Sequence, residues 1–329
     1  MTEESAVETM KGVVCWRKKR AIQKVGLYVP GGTAPLFSTL LMLGIPAKIT
    51  GSQEIIVCTP AKNGIIDPAI YFAACLLGNI RLFKLGGAQA IAAMALGTAQ
   101  IPKVDKIFGP GNSYVTLAKQ RLSNRVAIDM PAGPSELMII CDETTNSSYV
   151  AADILSQAEH GMDSQIIVIC SNKRQATEIV TCTKSQCALL PRKDIAEGAL
   201  LNSRIILLDK NEYLDFANMY AAEHLIINTA DADDMAEKVI NAGSVFIGAF
   251  TPESLGDYAS GTNHTLPTAG FARSYSGVSV DSFVKNITFQ KASAEGIKVL
   301  GPCVEVLAEA EQLTAHKLAV TIRLNDLTT

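Results

Sequence analysis

The sequence carries neither a GxGxxG fingerprint nor a GxxxxGK[ST] loop, so neither of the two commonest nucleotide-binding turns is written in it. CxxC is missing too. The eight cysteines (Cys15, Cys58, Cys75, Cys141, Cys170, Cys182, Cys187 and Cys303) are scattered, several within strand-like apolar runs. That pattern reads as buried reduced thiols in a cytoplasmic protein rather than a disulfide framework. No apolar run is long enough to span a bilayer, and the opening MTEESAVETMKG is acidic and polar, unlike a signal peptide. An excess of either charge is also lacking: a formal net charge of -3 offers no general attraction for nucleic acid or an acidic membrane. Histidine is scarce, with four in 329 residues.

What is present suits a large folded enzyme. The length suggests about two domains, and 48% hydrophobic residues can fill sizeable cores. Short apolar runs alternate with helical segments. Val25–Val29 ends in Pro30-Gly31-Gly32, and a helix is expected from Pro35 to about Lys48. Glu54–Cys58, a helix near Pro68 to Leu77, Arg81–Leu85, Lys106–Phe108 and Val126–Met130 continue the series. Such alternation predicts a parallel sheet with helices on both faces. The turns at Gly31, Gly86 and Gly109 each follow a strand, which places them along the sheet's carboxyl edge, where open α/β folds bind ligands. They fit close approach to a phosphate or dinucleotide and equally fit tight turns. A second series runs from Leu137 to Gly248. The fold class expected is therefore α/β: two tandem, incomplete Rossmann-like units with a helical tail at about Val304 to Ile322. The divisions expected are 1–27, a solvated leader or edge segment; 28–136; 137–278; and 279–329, a tail without a core of its own, suited to packing on another subunit.

Ser156-Gln157-Ala158-Glu159-His160-Gly161 ends a helix that begins near Ser148. Gln157 and His160 lie one turn apart on one face and could grip one ion or ligand; a plain helix terminus capped by Gly161 is the other reading. The remaining histidines also fall at element ends or in loops: His224 follows Glu223 at the mouth of a strand, His264 ends a Gly-rich loop, and His316 lies in the tail. Each has a carboxylate nearby in sequence. Imidazole with carboxylate or amide oxygen suits zinc or another divalent first-row metal; a Glu-His pair suits proton transfer near neutral pH. Spacing alone does not divide these tasks.

Long motifs do. VGLYVPGGTAPLFS from Val25, GGAQAIAAMALGT from Gly86, KVDKIFGPGN from Lys103 and AIDMPAGPSE from Ala127 resemble the histidinol dehydrogenases. So do LSQAEHGMDSQ from Leu155, EHLII from Glu223, PESLGDYASGTNHTLPT from Pro252 and AEQLTAHK from Ala310. The resemblance implies oxidation of L-histidinol to L-histidine by way of L-histidinaldehyde, using two NAD+. It implies one zinc ion per subunit held by Gln157, His160, Asp257 and His316, with His316 supplied across an intertwined homodimer by tail exchange. By the same resemblance Glu223 and His224 are the acid–base pair, and Ser135, His264 and Glu311 contact the substrate together with His224 and the zinc ligands. Tyr28, Gln89 and Asn112 match positions facing NAD+. An incomplete Rossmann-like unit agrees with the missing GxGxxG.

Two departures stand out. Family members usually carry a further, largely helical segment upstream of the GVVCW stretch, which raises the expectation of exposed apolar surface here. Ala221-Ala222 also stands where relatives often have Pro beside the Glu. Two other readings stay open: a shortened homologue that binds zinc or ligand without turnover, and a zinc hydrolase with a Glu-activated water, which would need no dinucleotide.

Overall fold

The computed structural model describes residues 5–31 and 36–328. It contains two compact units, Ile22–Phe283 and a smaller one made of Met1–Ala21 with Val284–Thr329. The chain opens in the smaller unit with β1 (Val7–Met10) and β2 (Val13–Ala21).

The larger unit holds two parallel sheets. The first contains β3 (Lys24–Tyr28), β4 (Glu54–Thr59), β5 (Arg81–Lys84), β6 (Lys106–Phe108) and β7 (Ala127–Ile128), in the order β5-β4-β3-β6-β7. Helices α1 (Phe37–Thr50), α2 (Pro68–Leu77), α3 (Gly87–Leu96) and α4 (Ser113–Leu122) lie between them in sequence. Val25 and Leu27 pack with Leu40, Leu43 and Ile70 of α1 and α2. Ile56 and Ile107 pack with Ile91, Met94 and Val115 of α3 and α4 on the other face. With both faces covered, every strand position favours an apolar residue, which is why these strands read as unbroken apolar runs. Local chemistry sets the helix starts: the side chain of Asp67 caps the Ala69 N–H ahead of Pro68, and that of Asn112 caps Val115. The expected start of α1 at Pro35 lies outside the described residues.

The second sheet contains β8 (Glu136–Cys141), β9 (Gln165–Cys170), β10 (Arg204–Leu207), β11 (His224–Asn228) and β12 (Ser244–Ile247), in the order β10-β9-β8-β11-β12. Helices α5 (Ser147–Ala158), α6 (Lys173–Cys187) and α7 (Lys193–Leu201) cover one face, where Leu137 and Ile139 meet Ile154, Ile179 and Ala196. Helices α8 (Tyr213–Tyr220) and α9 (Ala232–Ala236) cover the other, where Met138 and Ile140 meet Tyr213, Ala217 and Met235. The short α10 (Glu253–Tyr258) follows β12.

In each sheet the chain winds outward from a central strand, then returns to that strand's other side. The resulting switch point lies between β3 and β6 in the first sheet and between β8 and β11 in the second. At the first, the carboxyl ends approach so closely that a Cβ on Gly109, whose φ is +121°, would sit 2.1 Å from the Tyr28 carbonyl oxygen. Only glycine fits there. The Gly109 turn is fastened from two sides: Asp129 Oδ2 accepts its N–H at 2.7 Å, and the buried Lys119 ammonium donates to its carbonyl at 2.9 Å while ion-pairing with Asp129. The carboxyl edge of the second switch point is occupied by protein, since Asp142 accepts the N–H groups of Ala230 at 2.8 Å and Thr144 at 2.9 Å.

In the smaller unit β13 (Val284–Ala292) pairs antiparallel with β2 from Val284↔Ala21 to Ala292↔Val13, giving the order β1-β2-β13. Trp16 stacks on Phe289 at 5.5 Å. Here the sequence expectation needs changing. The segment expected as a solvated leader or edge supplies the middle strand of this sheet, and the tail expected to lack a core is joined to it by the ladder. The tail also forms two helices rather than one, α11 (Ala294–Ala310) and α12 (Thr314–Asp326), broken at Glu311-Gln312-Leu313 where Gln312 has φ +59°. Gly301 lets them approach, since a Cβ there would meet Leu324 at 2.8 Å. Among the described residues no helix is long and apolar enough to cross a membrane.

Candidate active site

Within the larger unit a cleft of about 260 Å³ lies where the carboxyl edge of the first sheet faces the amino edge of the second. Pro30 and Leu36, with Pro110 to Ser113, form the side next to the first switch point. Ser135, His160, Glu223, His224, Asp257 and His264 form the other.

Glu223 and His224 are held by one backbone segment. The N–H of Glu136, first residue of β8, donates to Glu223 Oε2 at 2.9 Å, and its carbonyl lies 3.3 Å from His224 Nδ1. Behind them, Gly243 and Ser244 donate to the carbonyls of Ala222 and Glu223 at 2.9 Å each. A Cβ on Gly243 would meet the Glu223 oxygen at 2.5 Å, so the contact needs glycine. Both side chains are buried. Burial drives the His224 imidazole down to about 3, with His160 and His264 adding to the effect, so the ring is neutral at physiological pH. Burial likewise lifts the Glu223 carboxyl well above its usual range; the Glu136 N–H opposes this, while the Glu136 and Asp257 carboxyls reinforce it. A neutral imidazole can accept a proton, and a carboxyl displaced toward neutrality can exchange one nearer neutral pH, so the pair can take part in acid–base chemistry.

Among the described residues His224 Nε2 has no hydrogen-bond partner, and it lies 3.8 Å from Asp257 Oδ1. Asp257 Oδ2 is 4.0 Å from His160 Nε2. One ligand atom each from His160, Asp257 and Glu253 fall within 4.8 Å of one another, a spacing a single cation could bridge. Burial raises the Asp257 carboxyl, opposed by His264 and His160, and lowers His160, opposed by Asp257 and Glu159. Gln157, also expected as a ligand, is fully buried, and neither its Oε1 nor its Nε2 has a partner among the described residues. A buried amide with both ends unpaired costs a few kcal/mol unless something absent from the polypeptide satisfies it. The nitrogen and oxygen donors of His160, Asp257 and Glu253 fit zinc or another divalent first-row ion, and the unpaired Gln157 amide sits one helical turn before His160. The helix end differs from expectation: Glu159 in right-handed geometry, not Gly161, is the C-cap of α5, and the His160 N–H reaches back to the Gln157 carbonyl at 3.3 Å.

The other expected residues are spread more widely. Ser135 lines the cleft. His264 lines it too, but both its ring nitrogens are engaged, Nδ1 with the Asp257 carbonyl at 3.1 Å and Nε2 with the Thr39 hydroxyl at 3.2 Å, so it ties α10 to α1. Tyr28 and Gln89 converge on Gly87 at the start of α3: the Tyr28 hydroxyl accepts the Gly87 N–H at 3.0 Å, and a Cβ on Gly87 would lie 2.8 Å from Gln89 Oε1. Asn112 lines the cleft from the start of α4, with its side chain capping Val115 at 3.2 Å. Glu311 and His316 belong to the smaller unit, in the break between α11 and α12 and in the first turn of α12, and both are exposed.

Glu253 was not among the residues singled out from the sequence. It is fully buried, neither carboxyl oxygen has a hydrogen-bond partner among the described residues, and Oε1 lies 3.8 Å from His224 Nδ1. The signal for it was Glu253 and Asp257 at i and i+4, a spacing that puts two carboxylates on one helical face.

The paired α/β architecture is shared with aldehyde dehydrogenases. A crystal structure of apo betaine aldehyde dehydrogenase from Staphylococcus aureus matches 88% of this chain and 72% of its own at TM-score 0.57, with 12% identity, a likeness of fold alone. Closer relatives are more specific. The family model described as histidinol dehydrogenase matches residues 1–324. The histidinol dehydrogenase of Bacteroides fragilis is 60% identical over 328 residues, covering 99% of this chain and 77% of that protein. The crystal structure of histidinol dehydrogenase from Elizabethkingia anophelis aligns at TM-score 0.95 with 55% identity, over 99% of this chain and 76% of its own. The chain belongs to the histidinol dehydrogenase family, and it is an oxidoreductase.

Proposed function

We propose that the protein oxidises L-histidinol to L-histidine through L-histidinaldehyde, in two successive NAD+-dependent steps of histidine biosynthesis. The observation that carries the proposal is the neutral, buried His224, whose Nε2 lies 3.8 Å from Asp257, itself beside His160, in the lining of a substrate-sized cleft. Gln157, His160 and Asp257 are assigned to a zinc ion, with His316 of a second subunit completing the set, and Tyr28, Gln89 and Asn112 to NAD+. When bound, zinc supplies a Lewis acid that orients and polarises the substrate oxygen, and NAD+ supplies the hydride acceptor.

The chain's own residues move the protons. His224 accepts the hydroxyl proton at Nε2 as the alcohol is oxidised, since its depressed basicity in the free enzyme leaves that nitrogen open. Glu223 is fixed through Oε2 by the Glu136 N–H, and we assign it to activating the water that hydrates the aldehyde. His224 then serves as base again. Ser135, Glu311 and His264 are assigned to holding the substrate. A cytoplasmic setting is part of the proposal, and the unpaired cysteines support it.

The test is NADH formation by purified protein supplied with zinc, NAD+ and histidinol. His224→Ala should cut turnover by roughly 100-fold or more, the range of a lost general base, yet keep its zinc. Metal analysis finding the variant's site empty would contradict the division between ligands and base.

A further inference from the structure

Helix α10 offers one face to His224, and that face carries two carboxylates. Asp257 Oδ1 stands 3.8 Å from Nε2, and Glu253 Oε1, one helical turn away, stands 3.8 Å from Nδ1. The pair therefore brackets the imidazole along its long axis. The helix can come this close because Gly256, between them, has no side chain: a Cβ there would meet Phe246 at 2.6 Å, and Phe246 lies 5.8 Å from the His224 ring.

The two sides of the ring differ. Three oxygens surround Nδ1: the Glu136 carbonyl at 3.3 Å, Glu223 Oε2 at 3.8 Å and Glu253 Oε1 at 3.8 Å. Two of these have other work, the carbonyl as part of a strand and Glu223 Oε2 as acceptor for the Glu136 N–H. Glu253 makes no hydrogen bond of its own among the described residues. It is fully buried, and burial, reinforced by the Asp257, Glu223 and Asp153 carboxyls, lifts its own carboxyl well above the usual range. A buried carboxyl group without a bond of its own persists where its oxygen faces a neighbouring donor.

We propose that Glu253 is a positioning residue for His224: its carboxyl oxygen, beside the Glu136 carbonyl, holds the imidazole with the proton on Nδ1 and the lone pair of Nε2 directed at the Asp257–His160 cluster. Only the Nδ1–H form suits three oxygens at that nitrogen, and only that form leaves Nε2 able to accept a proton. Glu253 contacts the reaction through His224. The inference rests on the reading of His224 as the base.

The zinc-loaded protein labelled with ¹⁵N-histidine gives the test, because four histidines make a short spectrum that His224→Gln assigns. In the unmodified protein the His224 ring should show the Nδ1–H tautomer; the Nε2–H form would overturn the proposal without any variant. Glu253→Gln should lower kcat by roughly 10- to 100-fold, the usual effect of removing an outer-shell group that orients a site residue. KM and bound zinc should stay within about twofold, and the tautomer should become mixed. Glu253→Asp, which keeps the carboxyl group, should recover most of kcat. A Glu253→Gln enzyme that turns over normally, or one that loses its zinc, would show that the side chain does something else. Failure of the unmodified protein to oxidise histidinol would sink the proposed function and still leave the tautomer to be read.

Discussion

Asp153, on α5 beneath the cleft, is 8% exposed, and burial carries its carboxyl from 3.8 to about 7. Between those values the folded chain keeps a proton that the unfolded chain releases. Stability therefore falls as pH rises through that window, by on the order of a few kcal/mol. Asp153→Asn removes the titration. Its urea unfolding free energy, relative to the unmodified protein, should be higher at about pH 8 than at about pH 5; an equal difference at both would place the carboxyl's titration elsewhere. Other residue-scale features were partly visible in the sequence. His160 and His224 stood out because histidine is rare and each sits at the end of an element, Asp257 only through the resemblance carried by PESLGDYASGTNHTLPT, and the three line one cleft. Glu253 did not stand out, because in PESLGDY a single carboxylate was enough to satisfy the motif. What distinguishes it is burial without a partner, a property of the packed molecule.

At the scale of elements, α8 ends on Ala221, which adopts φ 57°, ψ 57° two residues before Glu223. Left-handed geometry costs an L-residue with a Cβ about 1–2 kcal/mol, whereas glycine returns only about 0.5–1 kcal/mol through its freer unfolded chain. Ala221→Gly should therefore raise stability by roughly 0.5–1 kcal/mol, read as a higher denaturation midpoint at unchanged m-value. A lower midpoint would mean that the Ala221 methyl, fully buried, contributes more packing than its backbone loses. The strands of both parallel sheets were legible because each is sandwiched between helices, so local composition carries the signal. β2 was not. Its Arg17-Lys18-Lys19-Arg20 run looks solvated, and its partner β13 lies more than 260 residues further on, so nothing local announces the ladder. The break that divides α11 from α12 was missed for a related reason: Gln312 turns left-handed without the glycine that commonly marks such a stop.

For the whole molecule, sequence pattern placed the glycine turns on the carboxyl edge of the first sheet but could not say which edge of the second would meet them. The chain passes from β7 to β8 through residues 129–135, so it enters the second sheet at its amino edge, where Ser135, Glu223 and His224 lie. The proposed exchange of tails belongs to this scale. His316→Ala chains should bind zinc weakly and His160→Ala chains should be inactive. Co-refolded mixtures should regain part of the activity through one site made from the intact halves of each. Absence of recovery in verified mixed dimers would count against a ligand donated between subunits.

The distribution of thiols gives the larger assembly a built-in set of handles. Cys58 is held at about 12 by burial, and Cys141 and Cys170 are raised as well, so alkylating reagents find little thiolate there. Cys75 on α2 and Cys303 on α11 are exposed, and each belongs to a different compact unit. Maleimide dyes attached to those two sulfurs would form a donor–acceptor pair in the native sequence, a ruler spanning both bodies that needs no engineered cysteine.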